Sequence, residues 1–96
     1  SSVSGTVAHH GEVISNALVY IKFGATELPG TNASDFDASV MANTQGVYLV
    51  ENLQSGNYYF YGVGYDSTIS QVVKGGIKVT IDKDEDLTVP LAVTED

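Results

Sequence analysis

The stretch "SGNYYFYGVGY", residues 55–65, decides the fold class of this chain. It places five aromatic rings in eleven positions of a 96-residue chain that has six tyrosines, three phenylalanines and no tryptophan. Aromatic and β-branched residues favour extended backbone, and successive side chains of a strand point to opposite faces of its sheet. The inward face is predicted to hold Tyr58, Phe60, Gly62 and Gly64. The outward face is predicted to hold Tyr59, Tyr61, Val63 and Tyr65.

The rest of the chain has the same character. Alternating runs of valine, isoleucine and tyrosine lie between clusters of glycine, asparagine, aspartate and serine, without helical spacing of apolar residues. Strands are predicted at Val3–His9, Ala17–Phe23, Ala38–Asn43, Val47–Glu51, Tyr58–Tyr65, Ile69–Lys74, Ile77–Ile81 and Leu87–Val93. Their spacing of roughly 8–12 residues is typical of a Greek-key β-sandwich. We predict an all-β fold of seven or eight strands in a single domain spanning residues 1–96.

Composition excludes several classes of function. Twelve acidic residues against four lysines give a formal charge of -8, which repels nucleic acids and anionic membrane surfaces. No apolar run approaches the ~18–20 residues of a membrane-spanning helix, so direct membrane insertion is not expected. The chain has no cysteine, which excludes disulfides and thiol chemistry. We expect a soluble piece of a longer exported protein.

Two stretches carry a resemblance to a known family. "VSGTVAHHGEVISNALVYI" (residues 3–21) and "NTQGVYLVENLQSGNYYFYGVGYD" (residues 43–66) contain, in order, Gly-x-Val, Ala-x-Val, Gly-x-Tyr, Asn-Leu and Gly-x-Tyr elements. This order resembles the carboxypeptidase regulatory-like domain and its transthyretin-like (prealbumin-like) and adhesin B-type relatives. The resemblance implies a prealbumin-like sandwich.

The resemblance also implies what kind of function to expect. Hydroxyisourate hydrolases of this group end in Tyr-Arg-Gly-Ser, whereas this chain has no arginine and ends "PLAVTED". Adhesin domains often carry a Lys–Asn isopeptide bond, but residues 3–9 hold no lysine and residues 87–93 no asparagine. What remains is a non-catalytic accessory, interaction or spacer domain of an exported, bacterial cell-envelope protein, in an extracytoplasmic location and without a cofactor. Its partner would be a neighbouring domain of the same chain or another envelope protein. The alternative is a carbohydrate-binding module that uses an exposed tyrosine face.

Three residues are predicted to anchor the core. Tyr58 follows Gly56 in the manner of a corner tyrosine, with its ring in the core and its hydroxyl on a backbone group. Tyr48 is predicted to face inward from its own strand. Leu53, the single apolar residue of its corner, is expected to plug the end of the sandwich.

Candidate chemical groups are few. His9 and His10 could suggest a metal pair, but neighbouring strand residues point to opposite faces, so a solvated pair at a turn is favoured. The acidic run containing Asp82, Asp84 and Asp86 lacks the glycine and glutamate of an EF-hand loop and is predicted to be a charged turn, with weak calcium binding left open. Asn32 begins a possible glycosylation triplet, "NAS".

The outward aromatic residues remain as the candidate interface. If the strand before Tyr58 pairs with it through the short connection 52–57, Val47 and Leu49 join Tyr59, Tyr61, Val63 and Tyr65 on one outer face. A contiguous apolar patch of several hundred Å² marks an interface, with Tyr59 and Tyr61 as anchors. The alternative is that strand propensity alone accounts for these residues.

Overall fold

A computed structural model describes residues 2–9, 11–24, 27, 30, 33–66, 69–83 and 86–95 as an all-β fold. Strands take up 64% of the described residues, which confirms the all-β class, and these residues form ten strands where seven or eight are predicted from the sequence. The ten strands are β1 (Ser2–His9), β2 (Glu12–Val13), β3 (Leu18–Phe23), β4 (Ala38–Met41), β5 (Val47–Val50), β6 (Gly56–Asp66), β7 (Gln71–Ile81), β8 (Asp86–Thr88), β9 (Leu91–Ala92) and β10 (Thr94–Glu95). One turn of 3₁₀ helix spans Ala33–Asp35. The described residues include no helix able to cross a membrane.

The first sheet is built around β1. Strands β2 and β5 pair with it in antiparallel fashion, whereas β8 and β9 pair with it in parallel. The predicted strand Leu87–Val93 is therefore divided at Val89–Pro90, because proline lacks the N–H that a continuous ladder requires. Before the break, the Val89 amide still donates to the Ser4 carbonyl at 2.7 Å.

The second sheet has the order β10-β7-β6-β3-β4. Its centre is the pairing of β6 with β7, which runs without interruption from Gly56 opposite Ile81 to Asp66 opposite Gln71. The strands predicted at Ile69–Lys74 and Ile77–Ile81 are not separate, because β7 continues through Gly75 and Gly76. Both glycines instead remain extended and make room for neighbours. A Cβ at Gly75 would overlap the Ala92 carbonyl oxygen.

The core lies between the sheets, and the predicted anchors occupy it. The hydroxyl of Tyr58 donates to the Gln54 carbonyl at 2.5 Å, as expected of a corner tyrosine. Tyr48 is buried, and its hydroxyl donates to the Val89 carbonyl at 2.6 Å. Leu53 is also buried at the end of the sandwich. These three predictions are confirmed.

The inward glycines of β6 allow the opposite side of the core to approach closely. A Cβ at Gly62 would lie 2.6 Å from Cδ2 of Leu91, and one at Gly64 would overlap Ile14. A side chain at either position would displace these neighbours, so glycine allows the present packing. The predicted inward position of Gly62 and Gly64 is confirmed by these contacts with core residues.

The predicted pairing of β5 with β6 is wrong. β5 pairs with β1 in the first sheet, and residues 51–55 cross from one sheet to the other. Val47 and Leu49 are exposed, but on the outer face of the first sheet, whereas Tyr59 and Tyr65 belong to the second. The six candidate residues therefore do not form one patch. A short connection can also cross between sheets. Here the buried side chain of Leu53 fills the corner at which the chain crosses.

Candidate interaction surface

The middle of the second sheet's outer face is covered by Phe36. The Phe36 ring stacks on Tyr61 with ring centroids 5.7 Å apart and on Tyr20 with centroids 5.5 Å apart. Tyr61 does point outward as predicted, yet only 5% of it is exposed. Its expected role as an exposed anchor is therefore wrong: a residue from the loop before β4 already occupies its outer surface.

Tyr59 lies further along the same face and is partly covered. Its Cε1 and Oη atoms stand 2.5 and 2.6 Å from where a Cβ on Gly76 would be, so the ring leans over the glycine of β7. Such a ring shields backbone that glycine leaves bare. Lys22 and Lys78 flank Tyr59 in register on the two neighbouring strands. This end of the face is an aromatic residue between two cations rather than an open apolar surface.

The opposite end of the face holds a contiguous apolar cluster, here called the outer patch. Its members occupy outward positions on four adjacent strands: Leu18, Met41, Val63, Tyr65 and Val72. The register places Leu18 opposite both Met41 and Val63, and Tyr65 opposite Val72. Met41 is 64% exposed, and Tyr65 and Val72 are each 56% exposed. Apolar side chains that adjoin one another at such exposure are typical of an interaction surface.

The charge on this face differs from that of the whole chain. Among the described residues of the five strands, the outward positions include Lys22, Lys74 and Lys78 but no carboxylate. Three of the four lysines of a chain with net charge -8 thus lie on one face. Lys22 forms an ion pair with Asp37, which directly precedes the edge strand β4; the distance between Lys22 Nζ and Asp37 Oδ1 is 3.4 Å.

Asp37 also fixes the loop that carries Phe36. Its Oδ2 accepts a hydrogen bond from the Phe23 amide at 2.9 Å. That backbone hydrogen bond, assisted by the nearby Lys22 ammonium, holds the pKa of Asp37 below its usual value. The ionised carboxylate therefore ties the covering loop to the end of β3.

A separate groove opens at the end of the sandwich where β3 finishes and β6 begins. Its volume is about 460 Å³, and its described lining consists of Phe23, Gly24 and the segment Asn52–Tyr58. Half of Phe23 is exposed, and its ring packs edge-to-face on Tyr58 with centroids 5.5 Å apart. The groove was not predicted, because its two walls come from strands distant in the sequence.

His9 and Asp66 form a buried pair that links the two sheets. His9 Nδ1 lies 2.8 Å from Asp66 Oδ2, and both side chains are almost fully buried. The prediction of a solvated His9 is wrong, because the inward parity of β1 turns this residue toward the core. His10 lies outside the described residues. Because the pair is enclosed, it links the strands and is not presented to an external substrate.

The remaining acidic candidates do not assemble into a metal centre in the part of the chain that the structure describes, where no cluster of three or more metal-ligating side chains occurs. Asp86 accepts hydrogen bonds from the amide and the hydroxyl of Ser2 at 3.1 and 3.0 Å. It therefore helps to hold β1 to β8. Asp84 and the glycosylation candidate Asn32 lie outside the described residues.

Of the six candidate interface residues, the structure brings Val63 and Tyr65 into the outer patch and leaves Tyr59 on the same face. It adds Leu18, Met41 and Val72, which the sequence reasoning missed. The alternation within residues 71–74 could have identified Val72, since Val73 faces the core and Val72 must then face outward. Met41 could not be assigned to the patch from the sequence, because the assignment requires knowing that β4 pairs with β3.

Comparison with known proteins finds no family model that matches this chain and no curated relative. The class that the structure defines is therefore architectural: an all-β sandwich of two five-stranded sheets. Its most distinctive surface is the outer face of the second sheet.

Proposed function

We propose that this protein is a non-catalytic interaction domain of an exported cell-envelope protein, and that it docks a neighbouring domain through the outer patch. The proposed fold type is a prealbumin-like Greek-key sandwich. The strand order supports it, because β1 lies between β5 and the parallel pair β8 and β9, while β4-β3-β6-β7 form the facing sheet. The extracytoplasmic location and bacterial origin are proposed from the resemblance described above.

The observation that carries the proposal is the outer patch. Burying Met41, Tyr65 and Val72 removes apolar area that the isolated domain leaves in water, at about 25 cal/mol for each Å². Leu18 and Val63 lie between Met41 and Tyr65 and complete the patch. Tyrosine suits the centre of such an interface, since its ring packs while its hydroxyl accepts water in the free state.

Charge favours a different protein over a second copy of this chain. Two copies that met through this face would bring Lys22, Lys74 and Lys78 of each copy toward those of the other, and both copies carry a net charge of -8. The lysines of the two faces would repel each other, and so would the net negative charges of the two copies. A neighbouring domain with an apolar centre and an acidic rim would complement the lysines.

The test is a pair of matched double variants. Tyr65→Ser with Val72→Ser removes two members of the outer patch, and Val47→Ser with Leu49→Ser makes equivalent changes on the outer face of the first sheet. Binding to the adjoining segments of the parent chain, measured by analytical ultracentrifugation or calorimetry, is expected to weaken at least about 10-fold only in the outer-patch variant. Equal binding by both variants, with both still folded, would refute the proposal.

A further inference from the structure

The groove at the end of the sandwich has the chemistry of a ligand site rather than of a packing defect. Its volume of about 460 Å³ falls within the range of small-molecule pockets. One wall is the half-exposed ring of Phe23, and the floor is formed by the buried residues Leu53 and Tyr58. The other wall is the 52–57 segment, which is rich in amide side chains.

The polar groups of the groove are uncharged and available. None of its nine described lining residues carries a charge, although the chain as a whole has a net charge of -8. The exposed side chains of Asn52, Gln54 and Ser55 have no hydrogen-bond partner within the described residues. Asn57 Oδ1 accepts a hydrogen bond from Thr80 on the outer face of the second sheet, so the amides that the groove offers are those of Asn52 and Gln54. Amides that both donate and accept complement hydroxyl groups, which do the same.

Both walls are held in place before any ligand arrives. The Tyr58 hydroxyl donates to the Gln54 carbonyl, and the Gly24 amide donates to the Asn57 carbonyl at 2.7 Å. Asn52 has a φ of 60°, a left-handed conformation that directs the corner and that asparagine tolerates better than most residues. A preformed site loses little conformational entropy on binding.

We propose that this groove binds a neutral saccharide, with one face of a pyranose ring packed on Phe23 and its hydroxyls bound by the amides of Asn52 and Gln54. A sugar combines a face of C–H groups with a rim of uncharged donors and acceptors, which matches an aromatic wall opposite amides. An anionic ligand would find no cation among the described lining residues, and a fully apolar one would leave the amides without partners. This site is separate from the outer patch and does not depend on it.

The test uses neutral sugars as probes. Glucose, N-acetylglucosamine and cellobiose would be titrated into the isotopically labelled domain, with glucuronate as the charged counterpart. We expect saturable shifts in the amide resonances of residues 23–24 and 52–58 with at least one neutral sugar, and weaker or no shifts with glucuronate.

Matched variants locate the site. Asn52→Gly with Gln54→Ala removes two amides while glycine keeps the left-handed backbone, and we expect it to weaken binding about 10-fold or more. Asn16→Gly with Gln45→Ala makes the same changes at the opposite end of β3, where Asn16 has a φ of 58°. This control should bind as the unaltered chain does.

Phe23→Leu, which keeps an apolar wall without the ring, should also weaken binding. If that variant fails to fold, the amide variant still decides. Absence of shifts with all three neutral sugars would overturn the proposal, as would equal binding by the two double variants or a preference for glucuronate. The docking proposal would stand in each case, because its variants lie on another surface.

Discussion

Replacing Tyr48 with phenylalanine deletes one hydroxyl from the centre of the first sheet. Tyr48 is only 1% exposed, and its hydroxyl donates to the Val89 carbonyl at 2.6 Å. The ring reaches this carbonyl across Gly5, where a Cβ would overlap the same carbonyl oxygen. Phenylalanine fills the same space but leaves that carbonyl without its donor. Because this hydrogen bond is only part-buried, we expect its removal to lower the free energy of unfolding by about 0.5–1.5 kcal/mol.

The assay is urea denaturation of the unaltered and variant chains. Such a loss lowers the urea midpoint of the variant, and an unchanged m value would show that both states remain equally compact. Tyr65→Phe is the matched control: it makes the same chemical change at an exposed position and should leave the free energy of unfolding nearly unchanged. Equal losses for the two variants would refute the assigned role of the Tyr48 hydroxyl.

Alkaline pH provides a second measurement on the same residue. Burial raises the pKa of Tyr48, so the folded state keeps the neutral phenol when the unfolded chain ionises. The stability from this difference is complete below the unfolded-chain pKa of about 10 and is lost as the pH rises toward the folded-state value. The unfolding free energy should therefore fall more steeply above pH 10 in the unaltered chain than in Tyr48→Phe. Parallel curves would contradict this assignment.

Other expected outcomes follow from single contacts. Truncation of the corner tyrosine, Tyr58→Ala, should cost roughly 3–5 kcal/mol in urea denaturation, and a loss below 1 kcal/mol would show that its ring is not a core anchor. Gly62→Ala should cost about 1–3 kcal/mol, because the new methyl group meets Leu91; a neutral result would mean that the sheets separate freely. Asp37 has a lowered pKa, so its contribution to stability is present above the unfolded-chain value near 4 and lost as the pH falls through the lower folded-state value. Asp37→Asn should flatten the acid limb of the stability curve, and an unchanged limb would contradict that. Calorimetry with calcium should show no dissociation constant below about 10 μM, and a tighter one would make the acidic turn at residues 82–86 a functional site.

Local alternation predicted much of the fold because one face of each strand is buried. In β6, the inward and outward sets were assigned correctly from the sequence, including the two glycines that admit Leu91 and Ile14. The corner hydrogen bond of Tyr58 was also predicted, since a tyrosine two residues after a glycine at a sandwich corner has a recurring geometry. Both predictions depend on patterns that are visible in a short stretch of sequence: the alternation along one strand and the spacing of two residues at one corner.

The errors arose where the partner of a residue comes from elsewhere in the chain. Tyr61 points outward, but it is covered by Phe36. Phe36 lies in a loop, and the alternation of residues along strands does not predict where a loop packs. Gly75-Gly76 resembles a turn in sequence and is instead a site of close approach by β9 and by the ring of Tyr59. From the sequence, His9 resembles a surface residue, because its buried partner Asp66 lies on the opposite sheet, 57 residues away in the chain.

The most direct test of the docking proposal is oxidative footprinting of Met41 and Tyr65 in the isolated domain and in the longer parent chain that the proposal requires. Met41 is the chain's single methionine, a readily oxidised residue, and it lies in the outer patch with 64% exposure. We predict that Met41 and Tyr65 become strongly protected in the parent chain, while Leu49 on the opposite face keeps the reactivity that it has in the isolated domain. Unchanged oxidation of Met41 and Tyr65 in the parent chain would contradict the account.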